Sequence, residues 1–188
     1  MDRNASIYVA EDGDMIGNRF VELLRARGYS NLINDEHPAP HPRDLTNLDK
    51  YFKTFHPEYV FVTAGISGGI QANQNIPADL MLDNLQVACN LIQASYKHRV
   101  RKLLYIASSC TYPKFAEQPM RPEMLMTGIL EPTNSAYATA KLAGIELVRA
   151  YCAQYSVNYI SIIPANIFGP GDDFDQDTSH VIAAILSK

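Results

Sequence analysis

A tyrosine, a lysine and a serine are arranged along this chain in a pattern that suits proton transfer. Tyr137 and Lys141 are four residues apart in a segment with helical character, which places both side chains on one helix face. A phenol titrates at about 10 in water, and a neighbouring ammonium favours its ionised form. Ser108 follows the apolar run 103–107 and can hydrogen-bond to charge that develops on a substrate oxygen. These residues predict hydride transfer at a C–O centre, with Tyr137 exchanging the proton of the oxygen.

The Tyr-Lys spacing has a second interpretation, a half-buried tyrosine beside a solvated lysine. Tyrosine accounts for 11 of the 188 residues, so a chance pair is unsurprising, and the surrounding elements must decide. Apolar strands and amphipathic helices alternate along the chain, which predicts an α/β fold with a Rossmann-like, doubly wound parallel sheet. We predict strands at 6–10, 32–33, 59–62, 102–107 and 159–163, and helices at 15–27, 48–55, 77–97, 135–155 and from about 179 onward. Ser135 is the predicted cap of the helix that carries Tyr137.

The first strand, turn and helix are typical of the start of a dinucleotide-binding fold. The turn and the helix start provide four candidate cofactor contacts, Gly13, Met15, Ile16 and Gly17. The three glycine positions of the usual phosphate-binding turn correspond to Glu11, Asp14 and Gly17, of which only the last is glycine. Two carboxylates beside a pyrophosphate would repel it, so cofactor affinity is expected to suffer unless both side chains point away.

Two later segments offer further cofactor contacts. Asp35 could hold a ribose hydroxyl and favour NAD, whereas Arg43 could meet a 2′-phosphate and favour NADP; either could also be an ordinary loop charge. Ala64 and Gly65 follow the apolar strand at 59–62, where small residues admit a ligand or form a flexible loop.

Composition narrows the class of protein. The formal net charge is −4, and no basic run is present, which argues against a nucleic-acid surface. Cys89, Cys110 and Cys152 are widely spaced, so we expect a reducing compartment, no disulfide framework and no metal site. No apolar run approaches the length of a membrane span, and a cytoplasmic protein forming one domain over 1–188 is expected.

Several motifs resemble those of the extended short-chain dehydrogenase/reductases. They are SSCTYPK at 108–114, EPTNSAYATAK at 131–141 and NIFGP at 166–170. GGIQAN at 68–73 and SHVI at 179–182 are similar to the subfamily of GDP-4-keto-6-deoxymannose 3,5-epimerase/4-reductases. The likeness is strong after Tyr59 and weak in the first forty-five residues.

The resemblance implies roles for individual residues. Ser108, Tyr137 and Lys141 would form the reductase triad, with Lys141 also binding the nicotinamide ribose. Cys110 and His180 would exchange protons in the epimerisation, as base and acid. Further cofactor contacts would be Ala107, Pro164, Asn166 and Ile167, and Asn166 and His180 would touch a GDP-linked sugar substrate. The implied cofactor is NADP, with NAD as the alternative.

Family members also have a C-terminal lobe that binds the nucleotide of the substrate. This chain ends where that lobe would begin, so we expect a fragment or a shortened relative. The alternative function is a non-catalytic binding or interaction module that kept the fold and lost the phosphate turn. Relatives commonly form homodimers through the two long helices, which predicts the same here for 77–97 and 135–155.

Overall fold

The described part of the chain combines four strands with helices that lie between them in sequence, two helices after the first strand and two after the second. The structure, a computed structural model, describes residues 1–11, 13, 15–33, 37–175 and 181–186. Its elements in chain order are β1 (Ile7–Ala10), α1 (Met15–Ala26), α2 (Leu45–Phe55), β2 (Tyr59–Val62), α3 (Ile70–Asn75), α4 (Pro77–Lys97), β3 (Lys102–Ile106), α5 (Ser135–Tyr155), β4 (Tyr159–Ile162) and α6 (Val181–Leu186). Short 3₁₀ turns occupy Ser109–Thr111, Pro122–Met124 and Pro132–Asn134.

The four strands form one parallel sheet in the order β1-β2-β3-β4. The strand predicted at 32–33 is reduced to a single parallel bridge between Leu32 and Ile7, since two residues cannot support a ladder. This bridge lies on the side of β1 away from β2, because each edge of β1 has one partner. The chain therefore leaves β1 in one direction and returns in the other, which creates a switch point beside the carboxyl end of β1. The predicted Rossmann-like architecture is confirmed.

Helices cover both faces of the sheet. One face packs against α2, α4 and α5 and contains the larger core, and alternate residues on the other face, such as Ile7 and Val9, pack against α1. Gly144 allows α5 to approach β3 closely. A Cβ atom there would lie 2.7 Å from Cε1 of Tyr105 and closer still to the Cζ and hydroxyl of the same ring.

The start of one helix and the capping residue of another differ from the sequence expectation. Helix α2 begins at Leu45, three residues earlier than predicted, because the side chain of Asp44 accepts a hydrogen bond from the Asn47 N–H at 3.1 Å. The hydrogen bonds that Asp44 accepts from the backbone and the side chain of Asn47 lower the pKa of Asp44. At the start of α5, Asn134 and not Ser135 occupies the capping position.

Candidate functional site

The carboxyl ends of β1, β2 and β3 bring the candidate residues together, because parallel strands end at the same edge of the sheet. The loop after β2 is fixed to β1 by Ala10, whose carbonyl accepts the N–H groups of Thr63 and Ala64 at 3.0 and 2.7 Å. The Thr63 hydroxyl donates to the same carbonyl at 2.7 Å. Ala64 and Gly65 therefore line the crevice at the switch point.

Lys141 is the buried charge of this site. Its side chain is 6% exposed, and Nζ donates to the carbonyl of Ile106 at 3.5 Å. The ammonium also lies 5.6 Å from the ring centroid of Tyr105 and 5.7 Å from that of Tyr137. The alternative of a solvated lysine is therefore wrong for this position.

Tyr105 forms the floor under this lysine. Its hydroxyl donates to the backbone carbonyl of Lys141 at 3.5 Å, and burial raises the pKa of Tyr105 far above its ordinary value. Tyr105 therefore supports the helix backbone at Lys141 through its buried ring and this hydrogen bond.

Gly65 comes close to the same ammonium. Its φ of +120° belongs to the region that favours glycine, and a Cβ atom there would collide with Oδ1 of Asn84 and lie 3.5 Å from Nζ of Lys141. Asn84 is 2% exposed, and its Nδ2 donates to the carbonyls of Ile66 and Leu80 at 2.8 Å each. The loop after β2 is thus held against α4 and beside Lys141.

Ser108 and Cys110 lie in a tight turn at the end of β3. The Oγ of Ser108 accepts a hydrogen bond from the Cys110 N–H at 3.3 Å, and the backbone carbonyl of Ser108 accepts one from the Thr111 hydroxyl at 2.7 Å. The sulfur of Cys110 accepts a hydrogen bond from Nδ2 of Asn134 at 3.2 Å. Ala107, directly before this turn, is buried with its N–H donating to the Ile162 carbonyl at 2.9 Å.

In the turn after β1, the structure describes Glu11 and Gly13. Gly13 has a φ of +78°, which a turn requires, and its carbonyl accepts from Asn18 Nδ2 at 3.1 Å. The side chain of Glu11 lies over Gly17, since a Cβ on Gly17 would be 3.0 Å from Glu11 Oε2 and 3.1 Å from Thr63 Oγ1. The carboxylate is therefore folded inward, against the packing of α1 on the sheet.

Arg43 pairs with a carboxylate inside the molecule. Its Nε lies 3.2 Å from Oδ1 of Asp83, a residue that is 3% exposed, and Asp83 Oδ2 accepts the Ile66 N–H at 3.1 Å. The pair ties the loop before α2 to the loop after β2. The Arg43 side chain is still 51% exposed, so its remaining N–H groups can meet a ligand.

The other predicted residues lie at the rim or outside the described part. Pro164 is partly buried, whereas Asn166 and Ile167 are exposed in the loop after β4. This loop approaches α1, because a Cβ on Gly169 would lie 3.8 Å from the Met15 sulfur. Ile16, beside Met15, is partly buried at the start of α1. Asp14, Asp35 and His180 lie outside the described residues.

Sequence reasoning missed the residues that support the site: Asn84, Asp83, Tyr105 and Asn134. Asn84 had a signal, because it interrupts an apolar helical stripe four residues after Leu80, and a polar residue on such a stripe must find partners. Asp83 and Asn134 had none, since their contacts come from loops that are distant in the sequence.

No trio of His, Cys, Asp or Glu side chains that could hold a metal ion occurs within the described ranges. In the same part of the chain, no helix has the length and apolar character needed to cross a membrane.

Comparisons with known proteins show the family of this chain. Residues 13–188 match the model of the NAD dependent epimerase/dehydratase family. The chain is 40% identical over its full length to a putative GDP-L-fucose synthase 2 of Arabidopsis thaliana, and 42% identical over 97% of its length to a GDP-L-fucose synthase of Sinorhizobium fredii. It covers 57% and 58% of those two proteins, so it spans little more than half the length of these relatives.

Solved structures give the same result. A GDP-D-glycero-L-gluco-heptose synthase of Campylobacter jejuni, crystallised in the presence of NADPH, superposes with a TM-score of 0.91 at 34% identity, over 99% of this chain and 54% of the other. A GDP-L-fucose synthetase of Naegleria fowleri bound to NADP superposes with a TM-score of 0.85 at 26% identity, over 99% of this chain and 61% of the other. This chain belongs to the NAD dependent epimerase/dehydratase family.

Proposed function

We propose that residues 1–188 are the cofactor-binding part of an NADPH-dependent epimerase/reductase that acts on a GDP-linked 4-keto-6-deoxy sugar. The observation that carries the proposal is the position of Lys141. Its buried ammonium lies against the end of β3 and the ring of Tyr137, and beside the loop at Gly65. The GDP-sugar enzymes among the relatives support the substrate class, and the neighbours solved with NADPH or NADP support this cofactor over NAD.

The residues present fit the nicotinamide end of such a cofactor. Ala64 and Gly65 keep the crevice at the switch point free of bulky side chains, and Lys141 supplies a fixed cation for a ribose hydroxyl. Tyr137 is partly buried and Ser108 ends the neighbouring strand, so both can face a substrate placed in this crevice. The exposed N–H groups of Arg43 suit a 2′-phosphate, which distinguishes NADP from NAD.

NADPH held in this crevice would be the source of the hydride that reduces the C4 carbon of the sugar. Tyr137 donates its phenolic proton to the C4 oxygen, and the neighbouring Lys141 ammonium stabilises the phenolate that remains. Ser108 donates a hydrogen bond to the same oxygen while negative charge develops on it. The step would leave a C4 alcohol, the oxidised cofactor NADP⁺ and a Tyr137 phenolate that regains its proton from solvent.

In the epimerisation, the C4 ketone acidifies the hydrogens on C3 and C5. Cys110, as a thiolate, removes one such proton, so that an S–H bond forms and the electron pair of the C–H bond enters an enolate. His180 then delivers a proton to the opposite face of the same carbon. Cys110 lies two residues from Ser108 in one turn, which supports a single substrate position for both reactions.

One observation favours a second candidate, a non-catalytic module. Glu11 places a carboxylate, whose Oε2 is buried, at the turn where a pyrophosphate would bind. If this charge closes the cofactor site, the unmodified chain binds neither NADPH nor NADH, and Glu11→Gly restores binding.

Thermal protection by NADPH tests the proposed function. We expect saturating NADPH to raise the melting temperature of the unmodified chain and to have little effect on Lys141→Met. Lys97→Met is the matched control, because Lys97 lies at the end of α4 with its side chain 61% exposed and pairs only with a surface carboxylate of α2, that of Asp49, among the ion pairs of the described residues. Equal protection of the unmodified chain and Lys141→Met would contradict the assigned role of Lys141. Absence of protection in the unmodified chain, with protection of Glu11→Gly, would support the module.

A further inference from the structure

The side chain of Asn134 has an unusual hydrogen-bond partner for a residue at a helix start. It occupies the capping position of α5, yet its side chain makes no capping hydrogen bond within the described residues. Asparagine at this position ordinarily accepts a hydrogen bond from the first turn of the helix. Here its Nδ2 instead donates to Cys110 Sγ at 3.2 Å, a contact between residues 24 positions apart.

The turn that carries Asn134 is held rigidly. Its backbone N–H donates to the Glu131 carbonyl at 3.2 Å, and the Glu131 carboxylate accepts the N–H and hydroxyl of Thr133 at 3.4 and 3.3 Å. Lys114 pairs with the same carboxylate at 3.0 Å and follows Cys110 by four residues. The hydrogen bonds from Lys114 and Thr133 lower the pKa of Glu131, so it stays charged near neutral pH. The two loops that bring Asn134 and Cys110 together are therefore joined by an ion pair as well.

We propose that Asn134 is a positioning residue for Cys110. Its side-chain amide holds the Cys110 sulfur in place and stabilises the thiolate form of that cysteine. This inference rests on the proposed function, in which that thiolate removes a proton from a carbon beside the C4 ketone. An N–H donor aimed at the sulfur stabilises the negative charge that the thiolate carries before the C–H bond breaks. When the S–H bond forms, the same amide keeps the sulfur beside Ser108, where the substrate oxygen would bind.

The second amide atom supports a substrate contact. Asn134 Oδ1 is buried and has no hydrogen-bond partner among the described residues. A buried carbonyl oxygen of this kind is costly unless a ligand or water donates to it. A hydroxyl of the sugar, next to the carbon that Cys110 deprotonates, is the donor that this geometry suits.

The test measures the reactivity of Cys110 without cofactor or substrate. Cys89→Ser/Cys152→Ser leaves Cys110 as the single thiol, and its rate of alkylation by iodoacetamide is followed by mass spectrometry as a function of pH. We expect Asn134→Ala to move the midpoint of this profile upward by about one pH unit, since one donor to the charged form is lost. Asn134→Asp, which has the same shape and no donor, should move it further. Ser135→Ala is the matched control, because its hydroxyl contacts only the Pro132 carbonyl among the described residues.

Superimposable profiles for the parent and Asn134→Asp would overturn the proposal. If Asn134→Ala fails to fold, as judged by circular dichroism, the isosteric Asn134→Asp alone decides. Failure of NADPH to bind would remove the proposed function but would leave a shifted alkylation profile standing, so the two failures are distinguishable.

Discussion

Replacing Gly144 by alanine should destabilise the protein, although the same change stabilises an ordinary helix. Alanine in a helix interior gains about 1 kcal/mol over glycine. The added Cβ would lie 2.7 Å from Cε1 of Tyr105, and overpacking of a filled core costs roughly 1–3 kcal/mol. Because the ring belongs to a central strand and three of its atoms would lie within 2.7 Å of the Cβ, we place the cost at about 2–3 kcal/mol. After the gain of about 1 kcal/mol from helix propensity, the net loss in the free energy of unfolding is about 1–2 kcal/mol. For a chain of this size that corresponds to a melting temperature about 2–8 °C lower.

Thermal unfolding followed by circular dichroism measures this change. Ala143→Gly, at an exposed position of the same helix, is the control and should cost about 1 kcal/mol through propensity alone. A cycle with Tyr105→Leu should give a coupling energy of about 0.5–3 kcal/mol, since the smaller side chain relieves the collision. A higher melting temperature for Gly144→Ala would refute the close approach of α5 to β3, and with it the placement of Lys141.

Two further predictions concern the supports of the site, and a third concerns the buried phenol of Tyr51 in the core. Gly65→Ala should lower the free energy of unfolding in urea titrations by about 1–3 kcal/mol, because φ at Gly65 is +120° and the added Cβ collides with Asn84. Adding Asn84→Ala removes the collision but not the backbone strain, so it should restore only part of the lost stability. Full restoration would mean that the backbone at position 65 is not strained. Asp83→Asn should lower the free energy of unfolding by about 1–2 kcal/mol, a modest loss because Arg43 is half exposed and solvent screens the ion pair. An unchanged stability in urea would contradict the role of this pair in holding the loop. Burial raises the pKa of Tyr51 to about 12, so the folded state keeps its proton where the unfolded state, titrating at about 10, has lost it. Stability should therefore fall as the pH rises from about 10 to 12, and the fall should be smaller in Tyr51→Phe.

The fold could be predicted from the sequence to a large extent because local patterns determine most of it. The helices predicted at 77–97 and 135–155 have those bounds in the structure. The first carries apolar residues at helical spacing and begins at Pro77, which is favoured in the first turn of a helix. The prediction of a strand at 32–33 was wrong because two apolar residues indicate burial but do not establish a ladder. The start of α2 was predicted too late because Asp44 was not considered as a cap.

The candidate site was predictable in its centre and not in its supports. The spacing of Tyr137 and Lys141 is uninformative by itself, but Ser108 and Cys110 follow a predicted strand, and parallel strands end at the same edge of a sheet. The partner of Arg43 was not predictable, because Asp83 is reached only when α4 has packed beside the loop before α2. The direction of the Glu11 side chain likewise depends on how closely α1 packs at Gly17, which no local pattern reports.

Titration of the unmodified chain with NADPH, followed by nicotinamide fluorescence with NADH in parallel, tests the central claim most directly. We expect saturable binding of NADPH, weaker binding of NADH, and loss of both in Lys141→Met. Absence of any saturable signal with either cofactor would contradict it, and the Ser108, Tyr137 and Lys141 arrangement would then describe ancestry and not activity.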